Sequence, residues 1–310
     1  MRTKYTFLSN DGTTNIHAVM RVPDSGNCKA VIQIVHGMVE YIERYDVFAE
    51  YMEQNGFVVV GHDHLGHGDS VTGQDKWGYI APDHPSDVLV EDIHKLRVQT
   101  QEKFPTLPYF ILGHSMGSYL LRKYAAVHGE GLAGIILTGT GYVSPSTCGL
   151  AKTLCKLIAV FHGWEYRSKF VSSLAFGKSY QKFDMTGRQP ELSWLTRDVE
   201  IVEKYYKDPK CTFQFTLNGY LALFDMVGFD CKQENVNKIP KNLPVLIASG
   251  SDDPVGDLGD GVKTVHNMFR SAGIKDLTCT IYPHDRHEIL NELDKKQVFL
   301  DILTWIQERM

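Results

Sequence analysis

Residues 108–118 read Pro-Tyr-Phe-Ile-Leu-Gly-His-Ser-Met-Gly-Ser: a short apolar run breaks at Gly113-His114-Ser115-Met116-Gly117, and an amphipathic stretch follows. A Gly-x-Ser-x-Gly between a strand and a helix puts its serine at the apex of a sharp turn, where crowding admits only small neighbours. The turn lifts the hydroxyl clear of the sheet, as a nucleophile requires. A serine hydroxyl attacks poorly near neutral pH unless a histidine takes its proton and a carboxylate holds that histidine in the right tautomer. Among 13 histidines, His284 and His287 follow the last expected strand, in Pro283-His284-Asp285-Arg286-His287-Glu288. The strand before it runs into Ser249-Gly250-Ser251-Asp252-Asp253-Pro254, an acidic loop at the same sheet edge. Serine, acid, histidine is the chain order this strand–turn–helix arrangement uses. Spacing alone leaves Asp252 and Asp253 open, because aspartate before proline also starts turns. It leaves His284 and His287 open too, since a loop histidine is also an ordinary solvated or capping residue.

The elements that must position these groups are legible as changes of hydrophobic period. Tyr5–Ser9 and Asn15–Val22 alternate around Asp11-Gly12 and read as an antiparallel hairpin. Ala30–Val35, Val58–Gly61, Tyr109–Leu112, Gly134–Thr138, Pro244–Ala248 and Leu277–Tyr282 are short apolar runs of the kind buried on both faces of a parallel sheet. Helical patterns lie between them, at Glu43–Asn55, Pro85–Phe104, Ser118–His128, Gly261–Ala272 and Lys295–Arg309. The expected fold class is therefore α/β, a mostly parallel sheet with helices on both faces.

The alternation lapses between about Tyr142 and Lys241, where helical patterns recur at Ala151–Phe161, Phe170–Phe176, Leu192–Tyr206 and Phe213–Phe224 without a buried strand. That length is too great for a plain loop. It leaves the carboxyl end of a core strand, where ligand crevices form, so it reads as a helical lid. The expected organisation is core 1–141, lid insertion 142–241 and core 242–310. The lid carries apolar side chains that pack it onto the core or line an acyl pocket, with Leu154, Ile158, Phe161 and Phe176 as the candidates for the pocket. Lys152, Lys156, Arg167, Lys169, Lys178 and Lys182 make its first half basic, which is a solvated face or a contact for an anionic membrane surface.

Composition excludes several classes. With 310 residues and 43% hydrophobic side chains the chain can bury a large core, and its net charge of −5 carries no basic footprint for nucleic acid. It opens directly into an alternating strand without an apolar leader, and no apolar run is long enough to span a bilayer, so the expected setting is cytoplasmic. Cys28, Cys148, Cys155, Cys211, Cys231 and Cys279 show no Cys-x-x-Cys pair and read as reduced thiols. His62, Asp63, His64 and His67 fall within six residues and invite a second reading, a hydrolytic zinc, although the spacing is not that of a helical His-Glu-x-x-His site.

Four separated motifs, Val35-His36-Gly37-Met38, Asp63-His64-Leu65-Gly66-His67-Gly68-Asp69-Ser70, Gly113–Gly117 and the late acid and histidine loops, make the chain resemble the α/β-hydrolase superfamily. Within it the resemblance is to the branch of monoacylglycerol lipases, lysophospholipases and S33-type hydrolases, over essentially the whole length. It implies about eight strands and a lid, and it selects Asp253, three residues after Gly250, and His287, which leads into the last helix. It also makes the His62–His67 segment structural. It places an oxyanion hole after Ala30–Val35, with the amides of Met38 and Met116 as donors and Gly37 allowing close approach. The activity implied is cofactor-free hydrolysis of a small acyl ester through Ser115, His287 and Asp253, on monoacylglycerol- or lysophospholipid-like lipids. The rivals are an S33-type aminopeptidase or small-molecule esterase on this fold, the metal-dependent hydrolase, and a non-catalytic ligand-binding protein.

Overall fold

A computed structural model of the chain describes residues 1–176 and 178–310. The hairpin is present: β1 (Arg2–Leu8) pairs antiparallel with β2 (Asn15–Arg21), Leu8 opposite Asn15. It joins β3 (Ala30–Val35), β4 (Phe57–His62), β5 (Tyr109–His114), β6 (Gly134–Thr138), β7 (Val245–Gly250) and β8 (Leu277–Tyr282) in one eight-stranded sheet, order β1-β2-β4-β3-β5-β6-β7-β8. β2 meets β4 antiparallel, and every pair from β4 to β8 is parallel. After β3 the chain goes to one side for β4 and returns to the other for β5. This reversal opens a crevice beyond the carboxyl ends of β3 and β5, the place where open α/β sheets bind ligands.

Successive strand residues face opposite sides, so each buried strand supplies two apolar layers. In β3, Val31 and Val35 join the layer beneath α2 (Pro85–Lys103) and α3 (Met116–His128), while Ala30, Ile32 and Ile34 join the layer holding α1 (Asp46–Gln54). Between β6 and β7 the chain is helical: α4 (Pro145–His162), α5 (Lys169–Leu174), α6 (Val199–Lys207), α7 (Leu217–Asp230) and the short α8 (Gln233–Val236). The chain closes with α9 (Asp260–Ser271) on the first layer and α10 (Lys295–Gln307) on the second. Among the described residues no helix is long and apolar enough to cross a membrane.

Two expectations need correction. Leu277–Tyr282 is not buried on both faces: β8 is an edge strand, mostly half-buried, with Cys279 exposed. The helix expected over Leu192–Tyr206 begins only at Val199. The residues before it run along the loop that carries His287, and Leu195 is buried there. Their apolar spacing reflects packing against a loop rather than one face of a helix.

Candidate active site

β5 ends at His114 and α3 begins at Met116, leaving Ser115 alone between them at φ 53°, ψ −122°. A non-glycine residue in that region stores roughly 1–3 kcal/mol and persists only where its surroundings enforce it. Here Ser115 N donates to Thr138 O at 2.9 Å, and Ser118 N donates to Ser115 O at 2.8 Å. Gly117 is required on steric grounds, because a Cβ there would collide with the carbonyls of Val35 and His36. The start of α3 is thereby pressed against the end of β3.

Beyond β3 the chain turns at His36-Gly37-Met38, and Val39 is held at φ 58°, a strained value for a β-branched residue. The turn lies on the elbow serine: a Cβ on Gly37 would sit 2.9 Å from Ser115 Cβ. The amides of Met38 and Met116 have no acceptor among the described residues. Met116 opens α3, so its N–H is one of the helix's orphan donors, with the positive end of the dipole behind it.

The other two predicted groups arrive from the sheet edge. His287 Nδ1 and Asp253 Oδ1 are 3.0 Å apart, both side chains buried. Val255 N also donates to Asp253 Oδ1, at 2.9 Å, which fixes the carboxylate. With Nδ1–H donating to Asp253, the free nitrogen of His287 is Nε2, the tautomer a general base needs. Burial pulls the His287 imidazole toward its neutral form, but the charge and hydrogen bond of Asp253 prevail and raise its pKa above the usual histidine value. Of the alternatives, Asp252 is half-buried and spends its amide on Asp285 O, and His284 is exposed. No hydrogen bond joins Ser115 to His287 in this structure. The link between them is His114, the residue before the serine, whose ring lies 4.7 Å from that of His287.

Glu40, Tyr41 and Arg44 follow the turn after β3, and Glu288 follows His287. In the structure Glu40 and Glu288 are buried around Arg44. Arg44 donates to Glu40 Oε2 at 2.7 Å and makes a bidentate pair with Glu288 at 2.9 and 2.8 Å. Glu40 Oε1 accepts from Gly37 N and from the Tyr45 hydroxyl. The turn after β3 and the histidine loop thus share one arginine. Burial disfavours the Glu288 charge, yet Arg44 overrides it and holds that carboxyl down at about 2; burial and the neighbouring Glu288 raise Glu40. The Glu-x-x-x-Arg spacing was visible in the sequence, but nothing local ties it to Glu288, 244 residues on from Arg44.

The His62–His67 segment does not assemble as a metal site. Asp63 gives its two carboxylate oxygens to the amides of Ile42 and Asp69, at 2.8 Å each. His64 N donates to His36 Nε2 at 2.9 Å. Burial lowers His62 to about 3 and His67 to about 4, so both rings are neutral packing groups. Among the described residues two sets of donor atoms converge, His17/Asp63/Asp69, which includes Asp63 but none of the segment's histidines, and Asp285/Glu292/Asp294.

The four insertion residues disperse. Leu154 and Ile158 are half-buried on α4, with Ile158 packed on the core layer. Phe161 stands 82% exposed in solvent, because it lies on the face of α4 opposite the buried Cys148, Cys155 and Ala159. Phe176 lines a surface cavity of about 490 Å³ with Tyr180, Phe183 and Met185, and its ring meets Tyr180 edge-on at 5.2 Å.

The sequence profile of the family described as Serine aminopeptidase, S33 matches residues 26–294, from before β3 to beyond the histidine loop. The chain belongs to this S33 family. It is a serine ester hydrolase of the α/β-hydrolase superfamily, in the branch of the monoacylglycerol lipases. Its S33 core superposes on the crystal structure of a highly thermostable carboxyl esterase from Bacillus coagulans in complex with glycerol, with TM-score 0.90, 32% identity and coverage of 99% and 98% of the two chains. A monoacylglycerol lipase of Mycolicibacterium smegmatis is 26% identical to it over 310 residues, 98% of this chain and 97% of that one. A monoglyceride lipase of Rattus norvegicus is 26% identical over 290 residues, covering 92% and 85%.

Proposed function

We propose that the chain cleaves carboxylic esters of acyl lipids, of the monoacylglycerol or lysophospholipid kind, through a triad of Ser115, His287 and Asp253. The observation that carries the reading is the elbow serine set between two amides without acceptors, with a buried His–Asp pair at the adjoining sheet edge. Ser115 Oγ attacks the ester carbonyl while His287 Nε2 takes its proton. The amides of Met38 and Met116 hold the oxyanion, where preorganised donors contribute most because they act on charge that develops only in the transition state. His287 then protonates the leaving alkoxide, and a water activated by the same nitrogen releases the acyl group. Asp253 keeps the imidazole oriented and balances its charge.

In this reading residues 142–241 form a lid over a core made of 1–141 and 242–310, and the protein works in the cytoplasm, where its six free cysteines stay reduced. The substrate class is tested by comparing monoacylglycerols of graded chain length with aminoacyl amides, alongside labelling by a fluorophosphonate. The expected result is ester cleavage that rises with chain length and covalent labelling of Ser115. Preferential cleavage of aminoacyl amides would move the assignment to an aminopeptidase.

The lid also supports a membrane contact. On α4, Leu150, Leu157, Val160 and Phe161 recur at helical spacing and are all exposed, with the exposed Lys156 on the same helix and the exposed Lys169 at the start of α5. A continuous exposed apolar face is uncommon on a protein that meets only water, and each lysine near an anionic surface adds about 1 kcal/mol. The double substitution Leu157→Ser, Val160→Ser is expected to weaken sedimentation with vesicles containing anionic phospholipid by about tenfold or more, with turnover of a soluble ester unchanged.

A further inference from the structure

The stretch Glu191–Arg197, which takes in the start of the expected Leu192–Tyr206 helix that does not form, is where the insertion grips the histidine loop. His287 N donates to Trp194 O at 3.3 Å and Glu288 N to Leu195 O at 2.7 Å. Arg286 adds to the same grip from the same side, its guanidinium donating to the carbonyls of Glu191, Ser193 and Thr196. Arg197 then spans Asp285, Glu292 and Asp294. Two successive main-chain bonds, answered by the Arg197 side chain, fix direction as well as distance, because such bonds weaken steeply away from linearity. This strap delivers the half-buried Trp194 onto the imidazole: the rings of Trp194 and His287 are 4.9 Å apart and inclined by 29°. Tyr180 meets the indole edge-on at 5.5 Å from the cavity side.

We propose that Trp194 is a positioning residue for the general base, held by the strap so that its indole face sets the plane of the His287 imidazole and shelters the cation formed there. The proposal rests on the reading of Ser115 as nucleophile and His287 as base. Indole is the best of the aromatic faces for a cation, and a stack on neutral imidazole is weaker than one on imidazolium. The contact therefore strengthens when the serine proton is transferred, which is when it aids catalysis. The other groups around the imidazole are Asp253, Glu288 and Glu40, which favour its charge, Arg44 between the two glutamates, and His114, which burial keeps neutral. None of these charges is removed in a Trp194 variant, and any loss of cover over the imidazole would move its titration to higher pH, so a shift to lower pH reports the lost indole face.

The experiment compares Trp194→Leu and Trp194→Phe in the full chain, measuring kcat and KM for a soluble p-nitrophenyl ester against pH, with Ser115→Ala beside them. Losing the stack makes the imidazolium less favourable, so the acid limb of kcat/KM in Trp194→Leu moves to lower pH by roughly half a unit to one unit. Its plateau kcat falls by about 10- to 100-fold with KM little changed, the size of effect that misplacing a reacting group produces. Trp194→Phe keeps a π face and is expected to restore most of kcat and the position of the limb. A Leu variant whose limb stays at the parent's pH, with Phe no better than Leu, would overturn the proposal in favour of a merely structural contact. A Leu variant equal to the parent in every respect would overturn it too. Should Trp194→Leu prove too unstable to assay, the Phe variant decides, since a parent-like limb and kcat are expected of it and a loss as deep as that of an unfolded enzyme overturns them. Activity surviving in Ser115→Ala would instead remove the underlying catalytic reading.

Discussion

Ser115→Ala is expected to lower ester turnover by about 10⁶-fold, the loss seen when the nucleophile of a serine triad is removed. The residual rate over water stays at about 10³–10⁴, because the Met38 and Met116 amides and the binding surface remain. Stability should hardly move. The Ser115 hydroxyl holds no other element in place, alanine keeps the Cβ packed beside Gly37, and the φ of 53° is the same burden for both residues. Turnover of p-nitrophenyl esters and thermal melting, measured on the same preparation, separate lost chemistry from lost fold. Retained turnover in a variant that melts like the parent would end the assignment of Ser115 as nucleophile.

Asp253→Asn should preserve the packing and still reduce kcat by about 10⁴-fold, because an amide facing Nδ1 favours the tautomer whose proton sits on the wrong nitrogen. The same substitution has a signature in pH. His287 acts as base only when neutral, and in the parent Asp253 raises its pKa against the pull of burial, so activity climbs through a value above that of a free histidine. Without the carboxylate, the strongest group opposing burial is gone, Glu288 and Glu40 act more weakly, and the pKa falls. The acid limb of kcat/KM therefore moves to lower pH while the plateau collapses. A variant within tenfold of the parent, or one whose limb moves to higher pH, would show that Asp253 is not the orienting acid.

The parts of the site legible in advance are those built by a few neighbouring residues. The elbow is one: strand propensity up to Leu112, small residues at Gly113 and Gly117, and an amphipathic helix behind them define the turn without help from elsewhere. The order of serine, acid and histidine is another, since each group lies at the end of its own strand. The choice between Asp252 and Asp253, or His284 and His287, is different in kind. Adjacent loop residues have the same local chemistry, and only the three-dimensional path of the loop makes Asp253 and His287 the buried pair and leaves His284 in solvent. Helical spacing also misled in part: of the pattern over Leu192–Tyr206, α6 takes up only Val199 onward, and the residues before it pack on a loop nearly a hundred residues away in sequence.

By itself, then, the amino-acid sequence determined the α/β class, the sheet's strands, the serine elbow and a net charge of −5, because period, turn chemistry and charge act over a few residues or over the whole composition. Tertiary structure alone decided that Glu40, Arg44 and Glu288 form one buried network, that Phe161 faces water, and that Trp194 stacks on His287. These are contacts between segments far apart in the chain, and burial, which sets both their charge states and their strength, does not exist until those segments have packed together.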